Sequence, residues 1–227
     1  MKVLVLAPHP DDFDAIGVTL RRLQQRGHAL HLMVLSRGVN GVDNGFAGAR
    51  TDADKTALRE AEQRASCAFF GLPAERCHFL RLWQDPRAPA QDQERLRHFV
   101  RTLRPELVFM PHGNDSNATH RRSYQSFCDA AAAERLSLQA CLNQDIKTQG
   151  MRSDLVMPFD VQAARWKARL LRHHRSQQQR NLRTRGSGFD DRVLQLNRGS
   201  AQDLRLAEPY AEVFELMRFV DGVAQTG

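Results

Sequence analysis

The chain has 227 residues, 41% of them hydrophobic and 26% charged, a balance that suits one compact domain and excludes wholesale disorder. No apolar run reaches the ~20 residues that cross a bilayer, and the apolar start MKVLVLAP is too short for a signal peptide, so a cytoplasmic location is expected. Thirty-three basic against 26 acidic residues leave a net charge of +7, which admits anionic partners without choosing among them.

KVLVLAP is a short apolar run without alternation, the pattern of a strand buried on both faces. Residues Asp14–Arg26 then place Ile16, Leu20 and Leu23 at helical spacing, and Gly27 ends the helix. HALHLMVLS is a second strand, followed by the Gly/Asn-rich loop RGVNGVDNGFAG, a suitable rim for a site at that strand's end. A polar-faced helix runs from about Asp54 to Phe70 and closes at Gly71. CHFLRL is a third strand, Gln91–Leu103 a helix broken at Pro105, and ELVFMP a fourth strand.

Beyond residue 150 the pattern is less regular. DLVMPF suits a strand, Asp160–His174 a helix, and SQQQRNLRTRGSG a loop. Arginine is concentrated here: from Arg165 to Arg198, ten Lys or Arg stand against Asp190 and Asp191 alone. Strands alternating with helices predict a single α/β domain over residues 1–227, Rossmann-like, with a mostly parallel sheet and helices on both faces. Cys67, Cys77, Cys128 and Cys141 form no CxxC pair and are expected as buried thiols.

In such a sheet, ligands bind outside the carboxyl ends of the strands. Two polar clusters fall there: His9-Pro10-Asp11-Asp12 after the first strand, and His112-Gly113-Asn114-Asp115-Ser116-Asn117-Ala118-Thr119-His120 after the fourth. His9 and Asp12 on one tight turn, joined by a histidine of the second cluster, supply three N/O ligands of the kind that hold Zn²⁺ with one position left open. Asp11 is then free to take a proton from water. The same PHPDD string also suits a helix cap with an ordinary loop histidine, and the second cluster is what weighs against that.

Ala7-Pro8-His9-Pro10-Asp11-Asp12 after an N-terminal strand resembles the signature of the PIG-L/LmbE-like family, zinc-dependent deacetylases of N-acetylglucosaminyl compounds. Arg59-Glu60-Ala61-Glu62 running on to Phe70-Gly71 resembles the family's helix. Asp115-Ser116-Asn117-Ala118-Thr119-His120 is similar to its Asp-x-His-Pro-Asp-His, Lys167 through His174-Arg175-Ser176-Gln177 to its Lys…His-x-Ser-Gln, and Tyr210-Ala211-Glu212-Val213-Phe214 to its Tyr-Ala-Glu-x-Phe. The resemblance implies His9, Asp12 and His120 as zinc ligands, Asp11 as general base, and Arg59 as a substrate contact. Asp115 and His174, within these motifs, are further candidates for substrate contact.

Three positions depart from the family pattern. Phe13 stands where an acid is usual, Asn117 replaces the first histidine of the second loop, and Ala118-Thr119 replaces Pro-Asp. Asn117 can donate to an oxyanion but cannot deliver a proton, so His112 is the candidate acid in its stead. Arg180 and Arg183 are expected to meet an anionic part of the substrate, or else to lie in a solvated loop. The reading that follows is removal of acetyl from an N-acetylated sugar conjugate, phosphorylated or lipid-linked conjugates among them. The rivals are a metal-dependent phosphoesterase and a nucleic-acid-binding α/β domain. The second is disfavoured, because two Trp and two Tyr are too few to stack bases along a basic surface.

Overall fold

A computed structural model describes residues 1–226. Eight strands form one sheet: β1 (Lys2–Ala7), β2 (Ala29–Val34), β3 (Cys77–Phe79), β4 (Leu107–Pro111), β5 (Leu138–Asn143), β6 (Leu155–Phe159), β7 (Tyr210–Val220) and β8 (Val223–Thr226). Their order is β3-β2-β1-β4-β5-β7-β6, with β8 also paired to β7. Strands β1 to β5 pair in parallel, whereas β7 runs antiparallel to β5, β6 and β8. The expected Rossmann-like, mostly parallel α/β fold is therefore present.

Strand β1 shows why the sheet has two covered faces. Residues Val3 to Ala7 are almost wholly buried, and alternate side chains go to opposite layers. Leu4 and Leu6 pack with Leu96 and Val100 of α4 (Pro89–Leu103) and Phe127 and Ala130 of α5 (Ala118–Ala133). Val3, Val5 and Ala7 pack with Ile16, with Leu20 of α2 (Gly17–Gln25), with Phe70 of α3 (Asp52–Phe70), and with Leu170 of α6 (Val161–Leu171). An apolar run with no polar alternate is what two such layers require.

Local differences from the sequence pattern have identifiable causes. The first helix is split into α1 (Asp12–Ala15) and α2 at Ile16, whose φ of −116° breaks the helical path. Gly17 opens α2 because a Cβ there would come within 2.7 Å of Leu170 on α6. The third strand stops at Phe79, and Arg81 and Trp83 just beyond take left-handed φ of +50° and +62°. Helix α3 begins at Asp52, two residues before the expected Asp54, under a Thr51–Asp54 capping box. Asp160 caps α6, accepting from the Ala163 N–H at 2.8 Å.

The larger correction concerns SQQQRNLRTRGSG. It is not a loop but helix α7 (Arg175–Arg185), ended by Gly186 at φ +72°. It carries no apolar stripe, so hydrophobic periodicity is silent over it. Polar contacts seat it instead. The Ser176 N–H and Oγ both donate to Glu62 at 2.7 Å, Gln177 Nε2 donates to the Gly41 carbonyl at 2.8 Å, and Gln178 Nε2 to Asp190 at 2.8 Å. The stretch after residue 150 is thus as regular as the first, with α8 (Phe189–Asp203) packed along β7. Of the four cysteines, Cys67, Cys77 and Cys141 are buried and Cys128 half-buried.

A buried ion pair within this second half is joined to the first through Glu212. Lys167 Nζ, fully enclosed, donates to Glu212 Oε1 at 2.7 Å and to Asn197 Oδ1 at 2.6 Å. Glu212 also accepts from the N–H groups of Val18 and Thr19 at the start of α2. Burial lowers the Lys167 pKa, and Glu212 works against that shift. Lys167→Met should cost about 3–5 kcal/mol in urea unfolding, because it strands the Glu212 charge. The Lys167→Met/Glu212→Gln double variant should recover part of that loss. A single-variant cost below about 1 kcal/mol would show that the pair contributes little to the stability of the fold.

Candidate metal centre and its cleft

The carboxyl ends of β1, β2, β4 and β5 open into one cleft of about 680 Å³. The strand order reverses between β2-β1 and β4-β5, and such a switch point is where open α/β sheets bind ligands. His9, Asp11, Asp12, Arg59, Asn117, His120 and Arg180 all line it.

His9 and Asp12 share the turn that leaves β1. The His9 N–H donates to Asp12 Oδ2 at 2.6 Å, and His9 Nδ1 lies 3.4 Å from the same oxygen. His120, in the first turn of α5, brings Nε2 to 3.8 Å from Asp12 Oδ1. One ligand atom from each of the three lies within 4.8 Å of the others. Ligands on ~2.1 Å bonds at a tetrahedral centre sit ~3.4 Å apart, so this donor set fits a zinc-sized ion with little movement. The imidazole and carboxylate donors are also the types zinc takes in catalytic sites.

Asp115 completes the arrangement from behind. Its Oδ2 is 3.0 Å from His120 Nδ1 and its Oδ1 accepts from the Asn117 N–H at 2.6 Å. It is buried and does not line the cleft, so it orients His120 and turns Nε2 toward the ligand position. Burial pulls the His120 pKa down, but the Asp115 hydrogen bond and the charges of Asp12 and Asp145 push it up to about 9. Burial works to raise Asp12, yet hydrogen bonds from His9 and the charge of His120 bring it down to about 2.

Asp11 is held apart from the three. It occupies the N-cap position of α1 at a left-handed φ of +118°, but its side chain makes no capping bond. Its Oδ2 instead meets Arg59 Nη2 at 2.6 Å, and its N–H donates to Gln63 Oε1 at 2.8 Å. Arg59 is itself buried, bonded also to the Pro10 carbonyl and to Glu62 Oε2. Burial raises the Asp11 pKa above its ordinary value, with Arg59 opposing. The helix-cap alternative for the PHPDD string therefore leaves both carboxylates unexplained.

The remaining expected site residues divide. Asn117 lines the cleft and caps α5, its Oδ1 accepting from the Thr119 N–H at 3.0 Å. His112 does not line the cleft: its Nε2 lies 3.2 Å from Glu215 and its Nδ1 accepts from the Asn114 N–H. His174 is fully buried with Nε2 2.7 Å from Asp14 Oδ2, outside the cleft lining. Arg180 lines the cleft and donates to the Asn40 carbonyl at 2.6 Å. Arg183 does not, because both arms of its guanidinium hold Asp43 at 2.7 and 2.9 Å. Sequence reasoning missed Gln144, Asp145 and Lys147, which follow β5, a strand it did not find. It also missed Asn181 and Arg192 across the α7–α8 junction.

A family model described as PIG-L, GlcNAc-PI de-N-acetylase, matches residues 4–131, more than half of the chain and all three members of the triad. The chain belongs to the PIG-L family. Among solved structures, this PIG-L protein is similar to the N,N'-diacetylchitobiose deacetylase from Pyrococcus horikoshii, with a TM-score of 0.76 at 19% identity over 97% of this chain and 84% of that one. It is also similar to the zinc-inhibited form of the teicoplanin deacetylase Orf2, with a TM-score of 0.70 at 14% identity over 96% and 98% of the two chains. GalB, the 4-carboxy-2-hydroxymuconate hydratase of Pseudomonas putida, has a TM-score of 0.71 at 20% identity over 95% and 96%. At these identities the likeness is one of fold, and the fold carries hydration as well as deacetylation. A glucosamine-6-phosphate deaminase-like protein of Bacteroides thetaiotaomicron is 24% identical over 53% of this chain, which spans only 26% of that relative's length.

A proton on His120 Nε2 competes with any metal at that atom. With its pKa near 9, the apparent zinc affinity of the metal-free protein should rise about tenfold per pH unit from pH 6 to pH 9 and flatten above. Competition with a chromophoric chelator at fixed pH values measures this. Asp115→Asn should flatten the slope and weaken zinc by ~10–100-fold. A pH-independent affinity over that range would remove His120 from the ligand set.

Proposed function

We propose that this PIG-L protein is a zinc-dependent N-deacetylase that releases acetate from an N-acetylated amino-sugar conjugate. The observation that carries this reading is the pairing, in one cleft, of the His9–Asp12–His120 donor set with a separate buried carboxylate, Asp11. When bound by His9, Asp12 and His120, zinc supplies Lewis acidity for amide hydrolysis, polarising a carbonyl and acidifying water.

The other steps fall to the chain's own residues. Asp11 takes the proton of the attacking water and returns it to the departing amine nitrogen. Its raised pKa suits both transfers, since it brings the carboxyl closer to the working pH. Arg59 fixes the carboxylate and keeps it ionised in a buried position. Asn117 spends its Oδ1 on the α5 cap and retains its amide N–H groups as donors for the developing oxyanion. The proposal gives His112 no proton to transfer, because its Nε2 is paired with Glu215 behind the cleft wall. An N-acetylglucosaminyl substrate is supported by the family description and by the chitobiose deacetylase fold.

Acetate release should be measured over a panel of N-acetylglucosamine conjugates, neutral, phosphorylated and lipid-linked, with zinc content determined on the same sample. Asp11→Asn should keep zinc and lose ~10²–10⁴-fold in turnover, while Asp12→Asn should lose zinc. Phosphate release from an aryl phosphate without acetate release from any conjugate would replace this reading with a phosphoesterase.

A further inference from the structure

Two of the arginines that line the cleft, and one just outside its rim, are already neutralised. Arg59 holds Asp11 at 2.6 Å, Arg37 lies 3.3 Å from Asp52, and just outside the rim Arg183 holds Asp43 at 2.7 Å. Arg185 and Arg192 are different. They line the same cleft from the last turn of α7 and the start of α8, and among the described residues neither has a carboxylate oxygen within 4.0 Å. Both donate instead to one neutral acceptor, Asn181 Oδ1, at 2.9 and 2.6 Å. Asn181 is buried, and its Nδ2 is anchored to the Gln177 carbonyl at 2.8 Å, so the shared oxygen is fixed.

Two guanidiniums drawn to one amide oxygen repel each other with no charge between them. The amide can offer them only two lone pairs, while each guanidinium has five N–H donors. Arg192 also sits near the N-terminus of α8, where the helix dipole disfavours a cation. Consistent with this, burial and then the Arg185 charge lower the Arg192 pKa, and Asp145 only partly offsets them. Arg180, one turn earlier on α7 and likewise without a carboxylate within 4.0 Å, adds a third positive charge to the same wall. Such convergence of forked donors is the arrangement that receives a multi-oxygen anion.

We infer that Arg185 and Arg192, braced on Asn181 and flanked by Arg180, form a binding site for an oxyanion, a phosphate ester or a carboxylate, at the end of the cleft lined by α7 and α8. The inference rests on the deacetylase reading only in assigning that anion to the substrate: a conjugate bearing a negative group beyond the acetylated sugar. It also moves the anion contact from Arg183, which is consumed by Asp43, to two arginines that are not.

The test uses inorganic phosphate and glucuronate as probes, titrated calorimetrically into the purified protein against sodium chloride of matched ionic strength, which removes general screening. At least one probe should bind the wild-type protein, and whichever binds more tightly identifies the anion. Arg185→Gln/Arg192→Gln should weaken it at least tenfold; Arg185 is exposed and Arg192 half-buried, and an unchanged circular dichroism spectrum checks that the variant folds. Asp12→Asn should retain binding, which separates this site from the metal ligands. Absence of binding by both probes, or equal binding in the double arginine variant, overturns the inference. If the probe binds as expected while no conjugate yields acetate, the anion site stands and the deacetylase reading falls.

Discussion

The cleft depends on a cation kept out of water. Arg59, 1% exposed, bridges α3 to the turn after β1 by holding the Asp11 carboxylate, the Pro10 carbonyl and Glu62 together. Asp11 at φ +118° would be strained in isolation, and the Arg59 and Gln63 contacts over-determine its conformation. Gly38, at φ +66°, keeps this cation enclosed: a Cβ there would fall 3.2 Å from Arg59 Nε and 3.0 Å from the Pro10 ring. Glu62 in turn takes both donors of Ser176 on α7. One buried charge thus relates Asp11, the loop after β2 and the C-terminal helices.

The architecture and the triad were legible because they follow from short-range patterns. The β1 and β4 runs are apolar without alternation, and their polar continuations must emerge at the same edge of a parallel sheet. That brings His9, Asp12 and a histidine of the second loop to one crevice, and the family resemblance singles out His120 as that histidine. Helix α7 was illegible because Leu182 is its one apolar residue, and its seating uses side-chain hydrogen bonds to groups distant in sequence. The same cause hid the partners of Arg183 and His112. Asp43 and Glu215 lie 140 and 103 residues away, and no spacing rule links them. Asp145 was missed with β5, whose LQACLN run is short and interrupted by a glutamine.

The two walls of the cleft differ in how they are held. The triad side stands on strand ends embedded in the apolar layers. The α7 side is tied to the loop after β2 by Arg180 on the Asn40 carbonyl, Gln177 on the Gly41 carbonyl and the exposed Arg183–Asp43 pair. Exposed pairs of this kind contribute at most about 1 kcal/mol each, and little apolar surface supports them. The strand-end wall is therefore anchored by apolar packing, whereas the opposite wall is anchored by polar contacts, the buried Ser176–Glu62 bonds among them.

The position of β7 has a kinetic consequence. It is inserted between β5 and β6, though α6, α7 and α8 all precede it in the chain. Until it arrives, β5 and β6 have no common neighbour, and Glu212 is absent from beside Lys167. Closing the sheet is thus a late, long-range search rather than a local zippering, and such pairings slow folding through loop-closure entropy. A nascent or partially unfolded chain would expose the unpaired edge of β5, a ready template for another molecule's strand. The protein's susceptibility to aggregation should therefore concentrate at that edge, on the far side of the sheet from β3.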